Sequence, residues 1–258
     1  MLIENLSPLV FCFLIFAAFA AGFVDSIAGG GGLISLPAAL IAGLPPHTAM
    51  GTTKLMSTLG TTVSLWLYAK SKMMDWSIAV RGMGFSLAGS VGGTLLALSI
   101  DPDTLGRVIL FLLPVAAAIC FYPHKGRKTP AEASRQSGKV SLLLTGLVCG
   151  LIGMYDGFFG PGTGTFLILG LHFVLGLDLV RASGTAKTFN LASNSASMVT
   201  MAWNSQIIYI LAVPMALANI LGNVIGSKLA ITKGAGVVRK VLYVSLSLLF
   251  VTLLHRYW

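Results

Sequence analysis

The sequence predicts an all-α, polytopic membrane protein made of two inverted repeats. Each repeat holds five hydrophobic helical segments, with short Gly/Pro-broken segments near the centre. Three observations carry this expectation. First, only 10% of the 258 residues are charged and 55% are hydrophobic, with a mean hydropathy of +0.87, whereas a soluble domain carries about 25% charged residues. Second, apolar runs recur along the chain, several near the roughly 20 residues that cross a hydrocarbon core of about 30 Å. Third, the second half of the chain repeats the first. Lipid cannot satisfy backbone N–H and C=O groups, and runs that are continuous rather than alternating select helices over a barrel.

The first half contains runs at 7–25, 32–44, 48–69, 76–100 and 104–122; the second contains runs at 139–156, 163–177, 181–203, 207–231 and 237–254. The opening run follows Met1 to Pro8, which carries Glu4 but no Lys or Arg. It lacks the basic n-region of a signal peptide and is expected to be retained. Run 32–44 is bounded by Gly29-Gly30-Gly31-Gly32 and Pro45-Pro46 and contains Pro37, while run 163–177 opens on Gly160-Pro161-Gly162-Thr163-Gly164. Paired short, interrupted segments of this kind mark the binding region of secondary transporters. Runs 48–69 and 181–203 are long but carry Lys54 and Lys187 inside them. Runs 76–100 and 207–231 contain Gly89-x-x-x-Gly93 and Gly222-x-x-x-Gly226, spacings that let helices approach closely. Runs 104–122 and 237–254 close the two halves.

The repeat is explicit. Gly22, Asp25, Gly29 and Gly31 recur as Gly153, Asp156, Gly160 and Gly162; after a two-residue insertion, Ala49, Gly51, Thr52 and Lys54 recur as Ala182, Gly184, Thr185 and Lys187. The chain divides into a first membrane repeat, 1–122, a basic linker, 123–138, and a second membrane repeat, 139–258. Lys125, Arg127, Lys128, Arg135 and the adjoining Lys139 face one acid, Glu132, so the linker is expected in the cytoplasm. Five crossings per half then place Lys70, Lys72, Lys228, Lys233, Arg239 and Lys240 inside. Asp101, Asp103, Trp203 to Ser205 and both termini fall outside. A re-entrant second segment would put the last four cations outside, which the charge rule disfavours.

The formal net charge of +9 therefore reads as topology and not as a nucleic-acid surface. Cys12, Cys120 and Cys149 show no CxxC spacing, and His47, His124, His172 and His255 are dispersed, so neither a disulfide framework nor a metal site is expected, and no cofactor is implied. Trp66, Tyr68, Trp76, Trp203, Tyr209, Tyr257 and Trp258 are read mostly as an interfacial belt.

Candidate functional residues lie where the polar chemistry meets the apolar runs. A cation at membrane depth costs about 2.5 kcal/mol or more unless it faces a cavity or partner, which singles out Lys54 and Lys187; the plainer alternative is that both snorkel to water. Helical spacing aligns Lys54, Ser57 and Thr61 on one face and Lys187, Asn190 and Asn194 on the matching one. Thr52 and Thr185 precede the lysines. Gly30, Gly31, Gly162 and Thr163 could form an anion cradle of backbone amides, or merely a tight break. These residues form the expected substrate site, with Asp25 and Asp156 as coupling groups or as structural partners of the lysines.

Gly22-Phe-Val-Asp-Ser-Ile-Ala-Gly-Gly-Gly-Gly-Leu-Ile-Ser-Leu-Pro37, then Gly51-Thr-Thr-Lys-Leu55 and Gly184-Thr-Ala-Lys-Thr-Phe-Asn-Leu-Ala-Ser-Asn194, resemble the sulfite exporter TauE/SafE (TSUP) family, in its YfcA-like branch. The second glycine stretch departs from a plain glycine run. The resemblance implies a multi-pass transporter of the bacterial inner membrane for sulfur-containing anions such as sulfite or sulfoacetate, or related small carboxylates.

The expected function is secondary transport of a small anion by alternating access, with a proton or cation as the coupling partner. No nucleotide-binding motif offers another energy source. A passive anion channel is the alternative, and a membrane-embedded enzyme a remote one, because no metal cluster or Ser/His arrangement is present in the sequence. The expected partners are the anion and the lipid bilayer, not nucleic acid; a homo-oligomer is left open.

Overall fold

The structure is a computed structural model, which describes residues 7–121, 142–175, 177–238 and 240–241. The linker and most of the last apolar run, 237–254, lie outside the described residues, as do Tyr257 and Trp258. The described residues are helical, with no strand among them. The elements are α1 (Pro8–Ala28), α2 (Gly32–Ile41), α3 (Pro46–Lys70), α4 (Trp76–Leu98) and α5 (Pro102–Phe121), then α6 (Leu142–Phe158), α7 (Thr163–Leu175), α8 (Leu179–Trp203) and α9 (Tyr209–Lys233).

Local chemistry fixes their ends. Ser7 caps α1 by accepting from the Val10 amide at 3.4 Å, Pro8 occupies the first turn, and Gly29 ends the helix in the left-handed region at φ 72°. Asp75 and Asp178 cap α4 and α8 in the same way, each accepting from two amides of the following turn. Asp101 accepts from the Thr104 amide at 3.0 Å; this bond holds the exposed Asp101 carboxyl below its ordinary value. Helices α2 and α7 have 10 and 13 residues, hence lengths of about 15 and 20 Å. Neither helix alone reaches across a hydrocarbon core of about 30 Å. Among the described residues, α1 and α9 are long and apolar enough to cross a membrane by length and composition.

The distribution of side chains is the reverse of a soluble protein's. Leu9, Phe16, Leu95, Leu217 and Leu221 are exposed, whereas Thr52, Ser64, Ser90, Thr94, Ser197 and Asn219 are buried. An outer surface this apolar suits lipid, and the buried polar groups hydrogen-bond among the helices. α3 and α8 carry most of the buried polar residues and sit innermost.

The contacts come in reciprocal pairs related by the sequence repeat. α1 packs on α9 and α4 on α6, while α3 crosses α8. Gly89 and Gly93 of α4 stand against the Gly150 and Met154 backbone carbonyls of α6; their counterparts Gly222 and Gly226 of α9 stand against the Phe19 and Phe23 carbonyls of α1. The spaces left by missing side chains are thus filled by the first helix of the opposite half. Ser64 bonds to Ser227 at 2.6 Å, and their counterparts Ser197 and Thr94 bond at 2.9 Å. Thr52 Oγ1 accepts from the Ile208 amide at 3.2 Å and its counterpart Thr185 accepts from the Asp75 amide at 2.9 Å. Reciprocal exchange is what a two-fold relation between two similar units generates.

Charge separates along the molecule. The contacts of Tyr68 with Ser183 and of Asp75 with Thr185 gather the end of α3, the starts of α4 and α8 and the end of α9 at one end. Lys70, Lys72, Arg81, Arg181, Lys228 and Lys233 are exposed there. The opposite end, where His47 meets the Ala97 carbonyl and Gly51 the Gln206 backbone, carries Asp101 and Asp103. Trp66, Trp76, Trp203 and Tyr209 are exposed near helix ends, as a belt requires. Tyr68 is not: fully buried, it donates to the Ser26 carbonyl at 2.9 Å. Its phenol is an internal bond, because residue 68 faces α1 and α8 and not the surface.

Candidate functional site

Lys54 lies eight residues into α3, about 12 Å along its axis, and it points into the protein. Its Nζ donates to the Asp156 carbonyl at 2.7 Å and to Asn194 Oδ1 at 2.9 Å. The Asp156 carboxylate, through Oδ2, lies 2.9 Å from the same nitrogen. That oxygen is an ion-pair partner by distance but is not aligned as a hydrogen-bond acceptor. Lys187 of α8 makes the reciprocal arrangement. Its Nζ donates to the Asp25 carbonyl and, at 2.7 Å, to Asp25 Oδ2. Each lysine therefore reaches across to the aspartate of the other repeat. Snorkelling is excluded, since the side chains of Lys54 and Lys187 are 8% and 0% exposed.

The broken segments explain how the aspartates arrive. Asp25 and Asp156 sit in the last turns of α1 and α6, and the chain leaves both helices through glycine. Gly29 and Gly160 have φ of 72° and 87°, a region that side-chain-bearing residues avoid. Gly29 is also pressed against the Gly164 backbone, with no room for a Cβ on either residue, and Gly32 packs on Pro161. The two breaks meet backbone to backbone, so each carbonyl at a helix end can accept from a lysine of the other half.

A cavity of about 490 Å³, counting its open mouth, lies beside this junction. It is lined by Lys54, Asp25, Asp156, Asn190 and Asn194, with Ser57, Thr53 and Thr163 between them. Apolar walls come from Leu36, Met50 and Phe159, while Gly29, Gly32, Gly160, Pro161 and Gly164 form the rest of the floor. Of the expected site residues, Lys54, Ser57, Asn190, Asn194, Thr163, Asp25 and Asp156 are brought together around this cavity.

Other expected site residues fall elsewhere. Lys187 stands behind Asp25 and does not line the cavity, so only one ammonium faces it. Thr52 and Thr185 spend their oxygens on amides at the starts of α9 and α4. Thr61 is buried outside the lining, and the glycines that do line it are neighbours of Gly30, Gly31 and Gly162. Gly31 packs against Asp25 and Ala21. No group of three or more His, Cys, Asp or Glu suited to a metal occurs among the described residues.

The cavity is not symmetric with respect to the repeat. On the Lys187 side the corresponding space is closed: Tyr68 Oη lies 3.3 Å from Ser183 Oγ, Ser183 donates to the Ile27 carbonyl at 3.0 Å, and Thr165 to the Ala28 carbonyl at 2.9 Å. At the position equivalent to Tyr68, the second repeat has Met201, which cannot form such a bond. Sequence reasoning missed this closure, because Tyr68 near the end of a run looks like an interfacial aromatic.

Among the described residues, an all-helical body with an apolar exterior and a polar cavity lined by buried charged groups suits a membrane transporter. The chain belongs to the sulfite exporter TauE/SafE family, whose model matches residues 14–253. A probable membrane transporter protein of Haemophilus influenzae is 37% identical over 241 residues, covering 91% of this chain and 89% of that protein. The probable membrane transporter protein ORF9 of a Sinorhizobium species is 35% identical over 243 residues, covering 93% and 91%. The probable membrane transporter protein YfcA of Escherichia coli K12 is 32% identical over 251 residues, covering 96% and 91%. No solved structure matches the chain.

Proposed function

We propose that the protein is a secondary transporter that carries a small anion across the bacterial inner membrane by alternating access. The anion is a sulfur oxyanion or an organosulfonate, such as sulfite or sulfoacetate. The observation that carries this reading is the exchanged pair Lys54–Asp156 and Lys187–Asp25 beside one polar cavity. Burying four ionised groups is costly even when they pair, so such a cluster belongs where charge must be handled inside a membrane.

The two repeats, 1–122 and 139–258, are inverted with respect to the bilayer, with the linker 123–138 in the cytoplasm. The gathering of Lys70, Lys72, Arg81, Arg181, Lys228 and Lys233 at one end of the molecule supports this orientation. The open space at Lys54 and the closed one at Lys187 suit one state of an alternating cycle, in which the two lysines exchange roles. Asp25 and Asp156 make the empty site neutral overall. An arriving anion displaces a carboxylate from its lysine or comes with a coupling proton.

The test is a thermal-shift screen of the purified protein against sulfite, sulfate, thiosulfate, sulfoacetate, taurine and small carboxylates, repeated with Lys54→Ala and Lys187→Ala. The transported ligand stabilises the wild type and neither variant. A ligand that stabilises all three alike removes the lysines from the site. In proteoliposomes the carrier shows saturable flux and counterflow; flux linear in concentration would replace it with a channel.

A further inference from the structure

We infer that Ser35, on the short helix α2, is a further substrate-binding residue, whose hydroxyl donates to the anion alongside Ser57 and the side-chain amides of Asn190 and Asn194. The inference rests on the transport reading above and names the neutral groups that receive the anion. It starts from what the polar atoms of the cavity already do. The Thr53 hydroxyl donates to the Ala49 and Met50 carbonyls at 2.8 and 3.0 Å, and the Thr163 hydroxyl to the Gly160 carbonyl at 2.7 Å. Lys54 Nζ is held by the Asp156 carbonyl, the Asp156 carboxylate and Asn194 Oδ1. None of these three side chains can give a hydrogen to a newcomer without giving up a contact it has.

Four other groups of the lining are free to do so. The hydroxyls of Ser35 and Ser57 and the amide nitrogens of Asn190 and Asn194 have no hydrogen-bond partner among the described residues, and none of them is a fully enclosed atom, as Asn190 Oδ1 is. Each is a donor. Ser35 tells most. It is 1% exposed, and a hydroxyl in a helix can satisfy itself on a carbonyl three or four residues back, as Thr53, Thr58 and Thr62 of α3 do. The Ser35 hydroxyl makes no such bond. Burying a hydroxyl without a partner costs free energy, so this one is placed for something that arrives. The fold does not require it: the equivalent position of the second repeat holds Phe166, which packs edge-on against Tyr155 with ring centroids 5.7 Å apart.

Charge explains why neutral donors serve here. Lys54 and Lys187 balance Asp25 and Asp156, so an anion finds no surplus cation. Neutral donors can meet its charge without adding a further ion that must be desolvated while the site is empty. The donors also come from both halves of the chain, Ser35 and Ser57 from α2 and α3, Asn190 and Asn194 from α8. An anion that takes hydrogens from both sets bridges the repeats where Lys54 already crosses between them.

The test is calorimetric titration of the full chain in detergent with three probes, sulfite, sulfoacetate and acetate, together with the melting temperature without ligand. Ser35→Ala is expected to bind the probes that the wild type binds about tenfold or more weakly, because a donor to a charged acceptor is lost. Its melting temperature without ligand is expected to equal the wild type's, because the hydroxyl it removes has no protein partner. Ser35→Cys keeps a side chain of similar shape with only a weak donor, and should lose affinity nearly as far. Ser64→Ala should do the reverse, melting lower for want of its bond to Ser227 while binding as the wild type does. Affinities of Ser35→Ala within about twofold of the wild type's overturn the inference and leave anion transport standing. Full affinity in Ser35→Cys also overturns it, by assigning the loss to shape, and so does a lower melting temperature of unliganded Ser35→Ala, by assigning the hydroxyl to the fold. Binding of none of the probes by the wild type, nor of any anion in the wider screen, overturns the transport reading as well.

Discussion

Replacing Lys54 by Met removes the donor that ties the two halves together at the cavity. The variant leaves Asp156, whose side chain is 5% exposed, without its counter-charge, and it also strands Asn194 Oδ1 and the Asp156 carbonyl. Removing one partner of a buried ion pair costs about 3–5 kcal/mol, chiefly because the remaining charge stays desolvated. Taking that charge away as well should recover much of the loss. Lys54→Met with Asp156→Asn is therefore expected to be more stable than Lys54→Met alone, with a coupling energy of about 2 kcal/mol or more across the double-mutant cycle.

The Arg181–Asp178 pair is an internal control. It spans 3.7 Å with side chains 54% and 56% exposed, so Arg181→Ala should cost less than about 1 kcal/mol. Reversible unfolding in detergent, followed by tryptophan fluorescence, measures all of these. A coupling below about 0.5 kcal/mol at Lys54 and Asp156, the range of simple additivity, would refute the claim that this contact is a buried, mutually dependent pair. Transport separates stability from function: the double variant should fold yet fail to move anion in proteoliposomes. Wild-type flux from it would take Lys54 out of the mechanism.

Three further outcomes follow from the geometry. Gly29→Ala should prevent folding or cost several kcal/mol, since a methyl there meets the Gly164 backbone; Gly43→Ala, at a φ of 86° but with open space around it, should cost only about 1 kcal/mol of backbone strain. Equal melting temperatures for the two variants would contradict the backbone-to-backbone junction. Thr52→Val and Thr185→Val each deprive one amide at a helix start of its acceptor, so both should lose a similar amount, about 1–2 kcal/mol; a large effect of one and none of the other would argue against equivalent roles. Asp101→Asn removes a carboxylate whose folded value is depressed by the Thr104 amide. The depressed value means stability present above the ordinary carboxylate pKa of about 4 and lost as pH falls through the folded one. The variant should melt below the wild type at neutral pH and converge with it in strong acid; a gap that widens on acidification would show the sign to be wrong.

How far the sequence could be read depended on whether a feature was local or reciprocal. The ends of α1, α4 and α8 follow from Ser7, Asp75 and Asp178, the residues that cap them, and those helices begin within a few residues of their apolar runs. Lys54 and Lys187 stood out because a charge in an apolar run needs a cavity or a partner, and Asp25 and Asp156 were legible as coupling groups or as those partners, without a choice between the two. What a linear alignment could not give is the crossing. Equivalent residues in two similar halves are compatible with each lysine pairing inside its own repeat or across to the other. The choice depends on Gly29 and Gly164, whose bare backbones let the helix breaks touch and present each C-terminal carbonyl to the opposite lysine.

The asymmetry was hidden for the opposite reason. Where the repeat departs from itself, at Tyr68 against Met201, or at Gly60 and Asn219 against Ser193 and Ser86, similarity carries no signal. At Tyr68 the departure falls beside the closed Lys187 side; at Gly60 and Asn219 it changes how two helices pack. Asn219 and Asn223 occupy the room that Gly60 leaves, whereas on the other side the smaller Ser86 and Ser90 bond to the Phe189 and Ser193 carbonyls. A perfectly repeated molecule would hold both ends in the same condition. Here the Lys187 side, with the Tyr68 bonds beside it, rests closed while Lys54 faces the cavity. Under the proposed alternating-access reading the Tyr68 contact favours this state, and Tyr68→Phe, which deletes the hydroxyl bonded to Ser26 and placed beside Ser183, should weaken that preference. The expected readout is faster labelling of a cysteine introduced at Ser183, measured against the same cysteine in the Tyr68 background; unchanged labelling would mean that Tyr68 only fills space.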